Sequence, residues 1–116
     1  MNKPSAPKSY EQIVNKFRKS YVDTIPEKLN IILQLIDELN DHVNAETLKN
    51  LRLQIHKMAG SSGTYGFEQV SSYCKKFENE LILKLEELKN SREDRPACRD
   101  SFYAYFEEIK KGFSND

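Results

Sequence analysis

Residues 55–78 read IHKMAGSSGTYGFEQVSSYCKKFE, and this stretch decides the fold. Two patterns with helical spacing meet in it, and the turn-forming segment GTYG at 63–66 separates them. A connection this short cannot lead the chain far away, so it joins two helices that lie side by side and antiparallel. The sequence therefore predicts a helical hairpin around residues 63–66.

The first helix of this hairpin is predicted to begin at Asn44, whose side chain can cap it, and to stop at Gly63. The second is predicted from a stripe of apolar residues that runs from Val70 to Leu88. Each helix thus has one face to bury. The core face of the first consists of Leu48, Leu51, Ile55, Met58, Ala59 and Ser62, and that of the second of Val70, Tyr73, Cys74, Phe77, Leu81, Leu85 and Leu88.

The part of the chain before the hairpin is predicted to form a tail and two helices. The composition of residues 1–8 cannot bury enough apolar area to order them, so we expect a flexible N-terminal tail. A helix is predicted from Ser9 onward. Thr24 and Glu27 repeat a capping-box spacing around Pro26, which predicts that a second, separate helix starts there.

After the hairpin comes the polar segment SREDRPACRD at 91–100, and a final helix is predicted from an apolar stripe that runs from Cys98 to Phe113. No segment alternates with period two for long enough to form a sheet. The predicted fold is all-α: an up-and-down, antiparallel four-helix bundle with an additional N-terminal helix, in one domain over residues 9–116.

The composition excludes several classes of function. The 18 Lys and Arg residues balance the 18 Asp and Glu residues, so there is no basic surface to bind nucleic acid or an anionic membrane. No apolar run is long enough for a membrane span or a signal peptide, so we expect a cytoplasmic protein. Cys74 and Cys98 provide no disulfide framework, and both are expected to be reduced.

One histidine stands out from the core pattern. His56 falls on the flank of its helix, about 110° from the centre of the core face at 100° per residue. Gly60 and Gly63 follow on the same stripe, and a glycine inside a helix costs about 1 kcal/mol relative to alanine. The missing Cβ atoms would clear room for another protein's active site to reach the imidazole. Alternatively, the glycines only end the helix, and His56 is an ordinary surface histidine.

Two other kinds of site are excluded by spacing. The glycines of GSSGTYG follow a helix and lack the lysine and hydroxyl residue that end a phosphate-binding loop. No further ligand stands at zinc-binding spacing from His56, and His42 lies in a polar linker. We therefore expect no nucleotide site and no metal site.

The stretch quoted above resembles the signature of histidine-containing phosphotransfer (HPt) domains of phosphorelays. That signature has a histidine, an apolar residue two places on, glycine four places on, two small residues, an apolar residue nine places on and glycine at ten. The resemblance extends to Cys74 and Glu78, and the expected helix layout agrees over residues 9–113. The matching positions are His56, Met58, Gly60, Ser61, Ser62, Tyr65 and Gly66.

The resemblance implies that His56 is the phosphoacceptor and that Glu78 hydrogen-bonds its imidazole. The partners would be receiver domains of response regulators or a hybrid sensor histidine kinase, and the chain would carry phosphate without being an enzyme. It would need no cofactor of its own, because the receiver supplies Mg²⁺. Many members have a lysine three residues after the histidine, whereas Ala59 stands here, so this position supplies no cation for the phosphoryl group; the nearby lysine is Lys57.

The predicted docking face is the small and apolar surface around His56. It is expected to have a rim of lysines, which would speed encounter with an acidic receiver. Its apolar and small members are Leu53, Gly60, Gly63 and Thr64, and its lysines are Lys49, Lys57 and Lys75.

Two other functions remain open. The first is an adaptor or inhibitory module that keeps the HPt bundle and binds partners without chemistry. The second is the dimerisation region of a sensor kinase, which expects an acid directly after its histidine and a proline five places on, where Lys57 and Ser61 stand here. The carrier is expected to be a monomer.

Overall fold

A computed structural model describes residues 6–90 and 99–114 of the chain as four helices. They are α1 (Ala6–Asp41), α2 (Ala45–Thr64), α3 (Glu68–Asn90) and α4 (Arg99–Ser114). Successive helices pack against each other, and α1 also packs on α4, which closes an up-and-down ring of four. No strand occurs in the described residues, so the all-α prediction is confirmed.

The predicted break in the N-terminal part of the chain is wrong. α1 is one helix of 36 residues that contains Pro26, so a separate N-terminal helix is not confirmed. The Thr24 hydroxyl donates to the Tyr21 carbonyl at 2.6 Å instead of capping a new helix. Proline removes one backbone donor, but Tyr21 and Ile25 before it and Ile32 after it are all buried in the same core. This shared burial favours one continuous helix.

The first turns of α1 extend beyond the part of the helix that packs in the bundle. Tyr10, Ile13, Val14 and Phe17 are exposed, and the first buried residue of the stripe is Tyr21. The helix begins at Ala6, inside the predicted tail, whereas residues 1–5 lie outside the described residues. The apolar spacing thus predicted the helix correctly but not how much of its face is covered.

The predicted hairpin is confirmed. Asn44 caps α2, since its side-chain oxygen accepts from the Thr47 amide at 2.8 Å. At the other end the Phe67 amide donates to the Ser62 carbonyl at 2.8 Å. Gly66 has a φ of +90°, which residues with a side chain rarely adopt, so glycine is required in this turn. α3 then returns antiparallel along α2.

The core lies between the four helices. Phe77 of α3 stacks on Tyr105 and contacts Phe102 of α4, with ring centroids 5.1 and 5.4 Å apart. Cys74 is buried, and this burial, together with the nearby charge of Glu78, raises the pKa of its thiol to about 12. Cys74 is thus a protonated packing residue, whereas Cys98 and the rest of residues 91–98, most of the predicted polar segment, lie outside the described residues. None of the described helices is long and apolar enough to cross a membrane.

The continuity of α1 predicts the effect of replacing its proline. Pro26→Ala restores a backbone donor inside the helix, so it should raise the free energy of unfolding in urea by about 1–3 kcal/mol. Asn30→Ala, an exposed substitution in the next turn, is the control and should change it by less than about 1 kcal/mol. A lower stability for Pro26→Ala would indicate that a separate helix starts at this residue.

Candidate functional site

His56 lies on the outer side of α2, with its side chain 65% exposed. Leu51, Ile55 and Met58 of the same helix point into the core, and the helical rotation leaves the imidazole on the flank next to α3. The ring therefore stands at the surface of the bundle while its helix is held by buried neighbours.

Glu78 of α3 contacts Nδ1 of this ring, which we call its inner nitrogen; Nε2 is the outer nitrogen. The Nδ1 atom of His56 is 3.0 Å from Oε2 and 3.1 Å from Oε1 of Glu78, whose side chain is only 13% exposed. A carboxylate can only accept, so Nδ1 carries the hydrogen and donates it. Nε2 is then left with its lone pair, and no hydrogen bond to it occurs among the described residues.

Arg52 completes the cluster, and the sequence reasoning missed it. Its Nε lies 3.2 Å from Oε2 of Glu78 in an ion pair, and its side chain is 45% exposed. Arg52 precedes His56 by four residues, so both lie on one side of α2 and face the same carboxylate. The sequence shows the i, i+4 spacing of Arg52 and His56. This spacing indicates a shared site only once Glu78 is known to lie opposite both residues.

The two glycines of the predicted stripe have different surroundings. A Cβ atom on Gly63 would lie 3.3 Å from Oγ of Ser71, so this glycine permits the close packing of α2 on α3. A Cβ atom on Gly60 would meet nothing within 4 Å, so the fold does not require glycine there. Of the two, only Gly60 leaves open space one turn from His56.

The other predicted docking residues are exposed at the surface. Leu53 is 49% exposed, and Thr64 is exposed at the end of α2, where its hydroxyl donates to the Gly60 carbonyl at 3.0 Å. Lys49, Lys57 and Lys75 are exposed, and in the described part of the chain none of them forms an ion pair. Gly63 and Lys75 line one open, polar cleft of about 460 Å³.

Position 59 supplies no charge to the site. Ala59 is buried, and its carbonyl accepts hydrogen bonds from the hydroxyls of Ser71 at 2.8 Å and Ser62 at 3.3 Å. His42, the second histidine, is exposed just after the end of α1. Across residues 6–90 and 99–114, no three potential metal ligands of the His, Cys, Asp and Glu types come together.

Comparison with known proteins identifies one family. The family model described as "Hpt domain" matches residues 16–112, which is most of the chain. No curated protein and no solved structure matches.

The contact of Glu78 with Nδ1 predicts the tautomer of His56. In ¹⁵N NMR spectra of the isolated protein above neutral pH, His56 should carry its hydrogen on Nδ1. Glu78→Ala should release this hydrogen to both nitrogens, whereas Glu78→Gln should keep much of it on Nδ1, because the amide oxygen still accepts. Glu80→Ala on the same helix is the control. Unchanged ¹⁵N shifts in Glu78→Ala would show that Glu78 does not orient the ring.

Proposed function

Because the chain belongs to the Hpt domain family, which consists of phosphocarrier modules of phosphorelays, we propose that His56 is its phosphoacceptor. His56 would take a phosphoryl group from the aspartyl phosphate of a receiver domain and pass it to a second response regulator. The chain would do so without kinase chemistry of its own.

One observation carries this proposal: the inner nitrogen of an exposed imidazole is engaged by a carboxylate, and the outer nitrogen is left as the nucleophile. Glu78 is largely buried and His56 is largely exposed, so the hydrogen bond between them aims Nε2 toward solvent. A ring that donates from Nδ1 cannot also carry a hydrogen on Nε2 while it is neutral. The lone pair therefore faces the direction from which a partner would come.

The proposed transfer step exchanges one bond to phosphorus for another. The Nε2 lone pair forms the N–P bond while the P–O bond to the receiver's aspartate breaks, and the aspartate carboxylate leaves with the electron pair. The imidazole gains positive charge during this step, and Glu78, already on Nδ1, stabilises that charge. The transition state of phosphoryl transfer is loose, so in-line placement and charge neutralisation provide most of the catalysis. In the proposal, Mg²⁺ and a further cation come from the receiver.

The surface around His56 supports access by a receiver. Gly60, four residues after His56, leaves open space, and exposed Leu53 adds apolar area that a partner could cover. The exposed Lys49, Lys57 and Lys75 would attract an acidic receiver and speed encounter more than they add affinity. In the proposal, the receiver belongs to a response regulator or to a hybrid sensor kinase. The proposal also includes a cytoplasmic location and a monomeric carrier.

The central prediction concerns the label on the histidine. A phosphorylated receiver should transfer an acid-labile, alkali-stable label to the wild-type chain, and His56→Gln should abolish the labelling. The chain has two histidines, so His42→Gln is a matched control that should label normally. Wild-type protein that binds cognate receivers but takes no label would refute the carrier function and support the adaptor.

A second prediction separates access from folding at Gly60. Gly60→Ala should stabilise α2 by about 0.5–1 kcal/mol, because its Cβ meets no neighbour and alanine favours the helix. Gly60→Glu should fold but slow transfer by more than about tenfold, which corresponds to about 1.4 kcal/mol in the barrier.

The control for Gly60→Glu adds the same side chain elsewhere. Ala104→Glu lies on an exposed face of α4, which makes no contact with α2 in the described residues. It should transfer at the wild-type rate. If Gly60→Glu also transfers at that rate, the open space at this glycine is not what admits the partner.

A further inference from the structure

Arg52 makes a contact that the proposed transfer step does not use. Its guanidinium forms an ion pair with Oε2 of Glu78, the same oxygen that lies 3.0 Å from Nδ1 of His56. The carboxylate is thus shared between a permanent cation and an imidazole that can be neutral or charged. The protonation of the ring therefore depends on how much of the carboxylate's charge the arginine balances.

A largely buried carboxylate needs such a cation. Glu78 has its side chain 13% exposed, so water solvates it poorly, and an ionised group in that setting is stable only with a charged or hydrogen-bonding partner. Without Arg52, the imidazole would be the partner left, and the carboxylate would favour the imidazolium form. An imidazolium has hydrogens on both nitrogens and no lone pair with which to attack phosphorus.

The other charges near the ring do not take this role. On α2, Lys49 and Lys57 are exposed, and on α3 so is Lys75, without an ion pair in the described part of the chain. Arg52 is the cation that the structure brings within hydrogen-bonding distance of Glu78. Among the described residues, Arg52 is thus the cation that offsets the charge of Glu78 next to His56.

We infer that Arg52 is a positioning residue that offsets the charge of Glu78, so that the carboxylate orients the imidazole without drawing a second proton onto it. This inference rests on the proposed function of His56 for its effect on transfer, but not for its effect on the ring. Loss of Arg52 has opposite effects on the gain and on the loss of the phosphoryl group. Loss of Arg52 slows acceptance near neutral pH, because fewer rings have a lone pair, and it speeds loss of the phosphoryl group, because a protonated ring leaves more easily.

The first test measures the ring alone and needs no partner. In ¹⁵N NMR spectra near pH 7, Arg52→Met should raise the imidazolium fraction of His56 by about two- to five-fold, as expected for a partly exposed ion pair. Arg52→Lys should restore the wild-type fraction. Lys49→Met, which removes the same charge from the same helix without touching Glu78, should leave it unchanged.

The second test uses the double variant and the transfer reaction. Adding Glu78→Gln to Arg52→Met should cancel the rise in imidazolium, because the charge that Arg52 offsets is then gone. In transfer from a phosphorylated receiver, Arg52→Met should be slower than wild type at about pH 6.5, and this deficit should disappear at about pH 9. The phosphorylated Arg52→Met protein should lose its label to water about two- to five-fold faster.

The two proposals fail in different ways. Equal imidazolium fractions in Arg52→Met and wild type would overturn the role of Arg52, whatever the labelling shows. A wild-type chain that takes no label would refute the phosphoacceptor role of His56, and the NMR comparison would still decide whether Arg52 controls the ring. A uniform loss of transfer at every pH, with unchanged NMR spectra, would also contradict the inference, since it would indicate a docking contact.

Discussion

The site depends on the close contact between Gly63 of α2 and Ser71 of α3. In an antiparallel pair, positions with a constant sum of residue numbers lie opposite each other, and Gly63 and Ser71 are one such pair. His56 lies seven residues before Gly63 and Glu78 seven residues after Ser71, about two turns away in each helix. The same register therefore brings the histidine opposite the carboxylate. A Cβ atom at position 63 would lie 3.3 Å from Oγ of Ser71, so this side chain would have to shift by a few tenths of an ångström where the two helices meet.

The two glycines near the histidine illustrate how one pattern can hide two causes. From the sequence, Gly60 and Gly63 lie on one stripe with His56, and one explanation, room for a partner, covers both. The structure separates them, because Gly63 packs on Ser71 and Gly60 faces open space. At Gly63, the packing of α2 on α3 offsets the cost of a glycine in a helix. At Gly60, no contact within the described residues offsets that cost. Of these two glycines, Gly60 is therefore the one that the packing of the helices does not explain.

The sequence predicted the features that depend on local chemistry. The Asn44 cap, the turn at 63–66 and the stripe of α3 follow from residues close together in the chain. The break at Pro26 was wrong because a proline at a helix start and one inside a helix have the same local signature, and burial on both sides decides between them. Arg52 was missed for a similar reason: its partner, Glu78, lies on another helix.

The proposed phosphoacceptor needs a ring that is fixed in orientation and also reachable by a partner, and the exposures of His56 and Glu78 show how the bundle allows both. Orientation requires a partner that does not move, and Glu78 is held in the interface of α2 and α3 with little contact to water. Reaction requires a nitrogen that another protein can approach, and His56 is mostly in solvent. If the ring were buried as well, no receiver could reach Nε2. If the carboxylate were exposed as well, water would compete for Nδ1, and the hydrogen bond would orient the ring only weakly. The helices must therefore bury the carboxylate of Glu78 and expose the imidazole of His56, although one hydrogen bond joins the two groups.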